Sequence, residues 1–162
     1  EELHHHGVKF NERRAVMRER VLAMKELWTK DEAEFHGEHV DFSSTWQWPK
    51  PTQKPHPPII LGGGAGPKTM NDIIEYCDGF MPISGRYDFG EQITTLKQMA
   101  SDAGRDPESF DFGQFGTPPK AEVVDGLIEA GCGRIVFSLP PADADTVIPK
   151  LDQIAEFKEQ YS

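Results

Sequence analysis

At 162 residues the chain is long enough for one domain with a packed core and short for two. Its 17 basic and 27 acidic residues leave a net charge of −10, a surface that repels nucleic acid and anionic membranes. No apolar run approaches a bilayer span and the start, Glu1-Glu2-Leu3-His4-His5-His6, lacks a signal-peptide layout, so a cytoplasmic protein is expected.

Residues 1 to 10 are polar and read as a solvated loop. Three consecutive histidines cannot all turn to one ion on a regular element, so no metal site is expected there. From Asn11, a plausible N-cap, Val16, Met17, Val21, Met24, Leu27 and Trp28 recur at helical spacing and predict an amphipathic helix that stops near Thr29. Phe35, Val40 and Phe42 around His36-Gly37 suggest a small surface hairpin. The segment from Trp46 to Pro58 is rich in proline, which forbids helix and favours an extended arm. Trp46 and Trp48 there are expected to pack the arm against the body, stacking on a ligand being the alternative. His36, His39 and His56 read as surface or packing residues.

The chain is organised around residues 58 to 79. Ile59, Ile60 and Leu61 suit a buried strand, and Gly62, Gly63, Gly64, Ala65 and Gly66 end it. Pro67 sits where a first helical residue tolerates proline, and Met70, Ile73 and Ile74 follow at helical spacing. Bare backbone N–H groups in such a turn, at the positive end of a helix dipole, suit a phosphate. The plainer alternative is a tight turn whose glycines serve only the backbone. The motif lacks the Gly-Lys-Ser/Thr of a P-loop.

Next, Phe80 to Ser84 reads as a second strand, leaving Ser84, Gly85 and Arg86 at its exit as an anion site or as a solvated loop. A helix on Ile93, Leu96, Ala100 and Ala103 closes at Gly104. A third strand covers Phe110 to Gly116. Pro118-Pro119 opens a helix on Val123, Val124, Leu127 and Ile128 that ends at Gly131. A fourth strand runs from Arg134 to Leu139, and Val147, Ile148, Leu151 and Ile154 mark a last helix. Cys77 and Cys132 have no CxxC spacing, which argues against structural zinc and a disulfide framework; both read as reduced and partly buried.

This alternation means parallel strands joined by right-handed crossovers in a single α/β domain, 1–162. A doubly wound sheet and a closed barrel both fit. Short equal strands, a helix after each, and candidate ligand groups at two successive strand exits favour the barrel, although eight strands and about 250 residues are usual for it.

The sequence resembles the luciferase-like monooxygenase superfamily, and within it the deazaflavin-dependent oxidoreductases. The resemblance is carried by Glu1-Glu2-Leu3 with His6-Gly7, Met17-Arg18-Glu19-Arg20-Val21, Leu27-Trp28, Phe35 with Gly37, Trp48-Pro49-Lys50-Pro51 with Gln53, Pro57-Pro58-Ile59 with Gly62-Gly63, Asp78-Gly79-Phe80, Gly104-Arg105-Asp106-Pro107 and Ala130-Gly131. It implies the C-terminal half of a TIM (β/α)8 barrel, four parallel strands alternating with helices, plus the hairpin and the Pro-rich arm. It also implies coenzyme F420 (deazaflavin) or FMN at the C-terminal mouth. Gly62, Gly63, Gly64, Ala65 and Gly66 would lie against the cofactor phosphate, with Ser84, Gly85 and Arg86 at the next exit. Lys54, Lys68 and Arg86 would offset the acidic surface near an acidic coenzyme tail.

The early strands and their polar residues are missing from the match, so no acid or base is assigned. Two unpaired edges and an apolar inner face predict a homo-oligomer, or pairing with a missing N-terminal half-barrel. Two functions follow: an oxidoreductase that moves hydride between the cofactor and a small organic substrate, or a non-catalytic half-barrel that serves in an assembly.

Overall fold

The computed structural model describes residues 2–161, and the chain divides into two compact units, Glu1–Ile59 and Ile60–Ser162.

The first unit opens with a short helix, α1 (Glu2–His5), where a loop was expected; the Val8 N–H closes it on the Leu3 carbonyl at 2.9 Å. Helix α2 (Arg13–Thr29) follows and buries Val16, Val21 and Ala23. Its N-cap is Glu12, without a side-chain hydrogen bond, so Asn11 lies one residue too early to cap it. The expected hairpin is present: β1 (Ala33–His36) pairs antiparallel with β2 (Asp41–Thr45), and the Phe35 and Phe42 rings stack across it at 6.4 Å.

One carboxylate pins that hairpin to α2. Glu19 accepts the backbone N–H groups of Glu38 at 3.1 Å, His39 at 2.7 Å and Val40 at 2.9 Å. These bonds, the one from His39 foremost, hold its carboxyl below the usual value.

The tryptophans of the arm do not pack as expected: Trp46 is 76 % and Trp48 64 % exposed. Lys50 anchors the arm instead. Its Nζ donates to the carbonyls of Leu27, at 2.7 Å, and Lys30, unsatisfied oxygens at the C-terminal end of α2 that attract a cation.

The second unit is the predicted alternation: β3 (Ile60–Gly62), α3 (Pro67–Tyr76), β4 (Gly79–Met81), α4 (Phe89–Asp102), β5 (Asp111–Thr117), α5 (Ala121–Glu129), β6 (Arg134–Phe137) and α6 (Ala144–Lys158). The four strands are parallel, in the order β3-β4-β5-β6. The architecture is a partial barrel. The second strand is shorter than the sequence suggests, because after Met81 only Ile83 bridges to Phe115. Helix α5 starts at Ala121, two residues past the proline pair, with Lys120 as its N-cap.

Phe80 and Phe112 point to the helical side, where Ile73, Cys77, Leu96, Ala100 and Val124 are also at most 3 % exposed. Burial of each large apolar side chain contributes about 1.5–3 kcal/mol, so α3 and α4 supply most of this core. The strands approach closely at Gly79: a Cβ there would stand 2.1 Å from the Asp111 carbonyl oxygen. On the opposite face Met81 and Gly113 lie together, and Ile83 and Phe115 beyond them are exposed. Both cysteines are buried and neither forms a disulfide, and burial pushes the thiol of Cys132 up. Among the described residues, no helix is long and apolar enough to cross a membrane.

Because Glu19 has a lowered pKa in the folded chain, its contribution is complete above the unfolded value near 4.5 and is lost as pH falls through the folded one. Glu19→Gln should therefore speed hydrogen exchange at Glu38, His39 and Val40 at pH 7 while leaving the second unit unchanged. In the wild type, protection of those amides relative to their intrinsic exchange rate should fall only in acid.

Candidate functional site

Parallel strands place all their C-terminal ends on one rim, and the candidate residues gather there. Gly62 ends β3 opposite Met81, the last residue of β4, so the two exits are neighbours. The first exit is the glycine turn. Gly63 has φ +129°, a conformation that a side chain would strain, and Gly66 is the extended N-cap of α3 at φ −77°, ψ 161°. Pro67 takes the first helical position as predicted. The Gly66 carbonyl accepts from the Thr69 and Met70 N–H groups at 2.9 and 3.1 Å, which starts the helix. Among the described residues, the N–H groups of Gly63, Gly64, Ala65 and Gly66 donate no backbone hydrogen bond.

Comparison of the four helices in this unit shows how the turn differs. Helix α4 is capped by Asp88, whose carboxylate accepts the Glu91 N–H at 3.1 Å, and α6 is capped by Asp143. Helix α5 carries Glu122 in its first turn. Helix α3 has no side-chain cap and no acidic residue in its first turn. Its positive end therefore stays uncompensated by protein charge, and the turn's donors fit a phosphate.

At the second exit Ser84 is held by its N–H, which donates to the Phe115 carbonyl at 2.8 Å, and Gly85 turns the chain at φ +80°. Arg86 is exposed and, among the described residues, makes no ion pair. A residue that sequence reasoning passed over joins the two exits. The Tyr87 hydroxyl stands 2.8 Å from where a Cβ on Gly64 would be, so it reaches across the rim onto the glycine turn. Its only sequence signal is its place directly after Arg86. Behind this loop a cleft of about 450 Å³ is lined by Ser84, Gly85, Tyr87, Asp88 and Gln114. Gln114 is buried and accepts from the Thr117 hydroxyl at 3.1 Å.

The back of the site is fixed by another residue that spacing did not single out. Arg105 follows Gly104, the predicted helix stop, whose N–H bonds the Ser101 carbonyl while that of Arg105 bonds Ala100. From there its Nη1 donates to the carbonyls of Ile73 (3.3 Å), Ile74 (2.7 Å) and Cys77 (2.9 Å) at the C-terminal end of α3, and its guanidinium lies 4.3 Å from the Phe110 ring centre. One cation thus holds α3 by its negative end, leaving the positive end at the rim. No group of three or more histidine, cysteine, aspartate or glutamate side chains is placed to hold a metal among the described residues.

The family model for luciferase-like monooxygenases matches residues 1–122. The chain belongs to that family. It is 32 % identical over 157 residues to an uncharacterised protein of Mycobacterium tuberculosis, covering 96 % of this chain and 54 % of that one. An F420-dependent glucose-6-phosphate dehydrogenase of Gordonia bronchialis is 35 % identical over 106 residues, 64 % of this chain and 30 % of the enzyme. An FMNH(2)-dependent dimethylsulfone monooxygenase of Pseudomonas putida is 38 % identical over 58 residues, 36 % of this chain and 16 % of the enzyme. The luciferase-like chain thus spans about half the length, or less, of these curated relatives. Among solved structures, monooxygenase RslO1 from Streptomyces bottropensis superposes with a TM-score of 0.61 at 19 % identity, over 97 % of this chain and 48 % of that one. The coenzyme F420-dependent tetrahydromethanopterin reductase of Methanopyrus kandleri gives 0.59 at 15 % identity, over 85 % and 62 %. At these identities the two structures speak for the fold alone.

Arg105→Met keeps the apolar stem and removes the charged donors. It should cost about 2 kcal/mol of stability, as loss of charged hydrogen bonds to half-buried carbonyls does. Denaturant melts would measure this, and faster exchange in the last turn of α3 would locate it.

Proposed function

We propose that this luciferase-like chain is the cofactor-binding part of a flavin- or deazaflavin-dependent oxidoreductase, with coenzyme F420 or FMN as the cofactor. The observation that carries the reading is the α3 N-terminus: donors at Gly63, Gly64, Ala65 and Gly66 with no carboxylate cap, in a family whose relatives above include F420- and FMNH(2)-dependent enzymes.

In this reading the turn from Gly62 to Gly66 seats the cofactor phosphate through backbone N–H groups. Ser84, Gly85 and Arg86 border it from the next exit, Arg86 as a mobile counter-charge. When bound, the cofactor supplies hydride chemistry with a small organic substrate. The protein's part is to orient the ring over the strand exits and to exclude water from the barrel mouth, and Arg105 keeps α3 in register for that. The remaining strands of the barrel, from a further segment of chain or a second copy, would supply the groups that handle protons.

A second reading, a non-catalytic half-barrel in an assembly, is favoured by the exposed Ile83 and Phe115 on the inner sheet face. Turnover separates the two. Binding of the cofactor without its reduction by any substrate fits the second.

Gly64→Asp tests the phosphate seat. The backbone at Gly64 is not left-handed, so aspartate is tolerated once the Tyr87 side chain moves aside, and its carboxylate would enter the anion cradle. Fluorescence titration should show FMN and F420 affinity falling at least about tenfold, a change of about 1.4 kcal/mol, with riboflavin, which lacks the phosphate, unaffected. Equal losses for FMN and riboflavin would clear the turn of this role. In the Tyr87→Phe variant, a several-fold loss for FMN alone is expected from the missing hydroxyl.

A further inference from the structure

On the helical side of the sheet, the start of α4 and the length of α5 leave a gap. The cleft of about 450 Å³ lies there: Gln114 of β5 lines it together with Asp88 and Phe89 at the start of α4 and Val123, Gly126 and Leu127 on α5. None of the inner-face residues Met81, Ile83, Gly113 and Phe115 reaches it. β5 is an inner strand, flanked by β4 and β6, so the second unit supplies every wall.

Gln114 is out of place in that wall. It is 5 % exposed, on the same strand face as Phe112, where an apolar residue would pack at no polar cost. Its Oε1 accepts from the hydroxyl of Thr117, itself 2 % exposed, at 3.1 Å, and that bond orients the amide. Among the described residues its Nε2 has no acceptor. A buried amide costs free energy unless its donors are satisfied, so a donor held at the edge of a cleft without a protein partner is aimed at an occupant.

The space in front of that donor is open. Gly126 stands inside α5, where glycine weakens a helix, and a Cβ on it would meet nothing within 4 Å. Phe89, Val123 and Leu127 make the lining largely apolar, and Asp88 is its one charged residue. One Asp88 oxygen caps α4 through the Glu91 N–H, which leaves the other to accept from an occupant. A buried donor, apolar walls and a carboxylate at the edge reject an anion and suit an uncharged molecule with a carbonyl oxygen and an N–H. We propose that this cleft is a binding site for a small uncharged carboxamide or lactam, whose carbonyl accepts from Gln114 Nε2 and whose N–H faces Asp88. Binding here does not require a cofactor at the glycine turn.

NMR titration of the nitrogen-15-labelled protein with benzamide, and separately with benzoate, tests it. Benzamide should shift the Gln114 side-chain amide signals together with the backbone amides of Asp88 and Gly126. Benzoate should bind at least about tenfold more weakly, because Asp88 repels it. Asp88→Asn, which keeps a capping side chain, should remove most of that discrimination. Gln114→Leu should weaken benzamide at least about tenfold through loss of the donor. That variant also orphans the Thr117 hydroxyl, so Gly126→Met serves as a second: it fills the cleft, favours the helix and should abolish the shifts with circular dichroism unchanged. Gln114 signals that stay still with benzamide, undiminished binding by Gln114→Leu or Gly126→Met, or equal affinity for benzamide and benzoate would each overturn the proposal. The first of these would leave water as the only partner of the amide.

Discussion

A parallel strand can follow another only by a crossover that carries the chain back along the sheet, and the second unit depends on this constraint. Each of β3, β4, β5 and β6 is followed by a helix, so every strand exit and every helix start falls on one rim. The helices then cover one face, where Phe80 and Phe112 are buried, and leave the other to Met81, Ile83 and Phe115. Site, core and open face are three consequences of one topology.

The rim would hold four equivalent anion sites if helix dipoles alone decided the matter. Side chains make them unequal. Asp88 and Asp143 fill two of the starts and Glu122 shadows a third, while α3 begins from glycines and proline with no acid in its first turn. Arg105 sharpens the asymmetry by satisfying the carbonyls at the far end of the same helix. The electrostatic identity of the site is therefore set by where carboxylates are withheld as much as by where donors are placed.

Much of this architecture was legible in the sequence because the signals are local. Pro67 after glycine marked a helix start, Gly104 marked a stop, and short apolar runs such as Ile59-Ile60-Leu61 and Ile135-Val136-Phe137 marked strands. The family resemblance, through residues such as Trp48-Pro49 and Asp78-Gly79-Phe80, pointed to a partial barrel, and the strand order agrees. What stayed hidden was tertiary. Tyr87 matters because its hydroxyl crosses to Gly64, Arg105 because it reaches carbonyls some thirty residues away, and Glu19 because a hairpin turn happens to present three N–H groups to it. The tryptophans misled for a similar reason: area suggested burial, yet Lys50 made the anchoring bonds. Glu2–His5 turned helical where polarity suggested loop, since a single turn needs only local bonds such as that between Val8 and Leu3.

The central claim, that the glycine turn before α3 seats a phosphate, is tested most directly by following backbone amide NMR signals during titration with FMN and, separately, riboflavin. The account predicts that Gly63, Gly64, Ala65 and Gly66 shift with FMN and stay still with riboflavin. Shifts confined to other segments, or identical responses to both ligands, would contradict it.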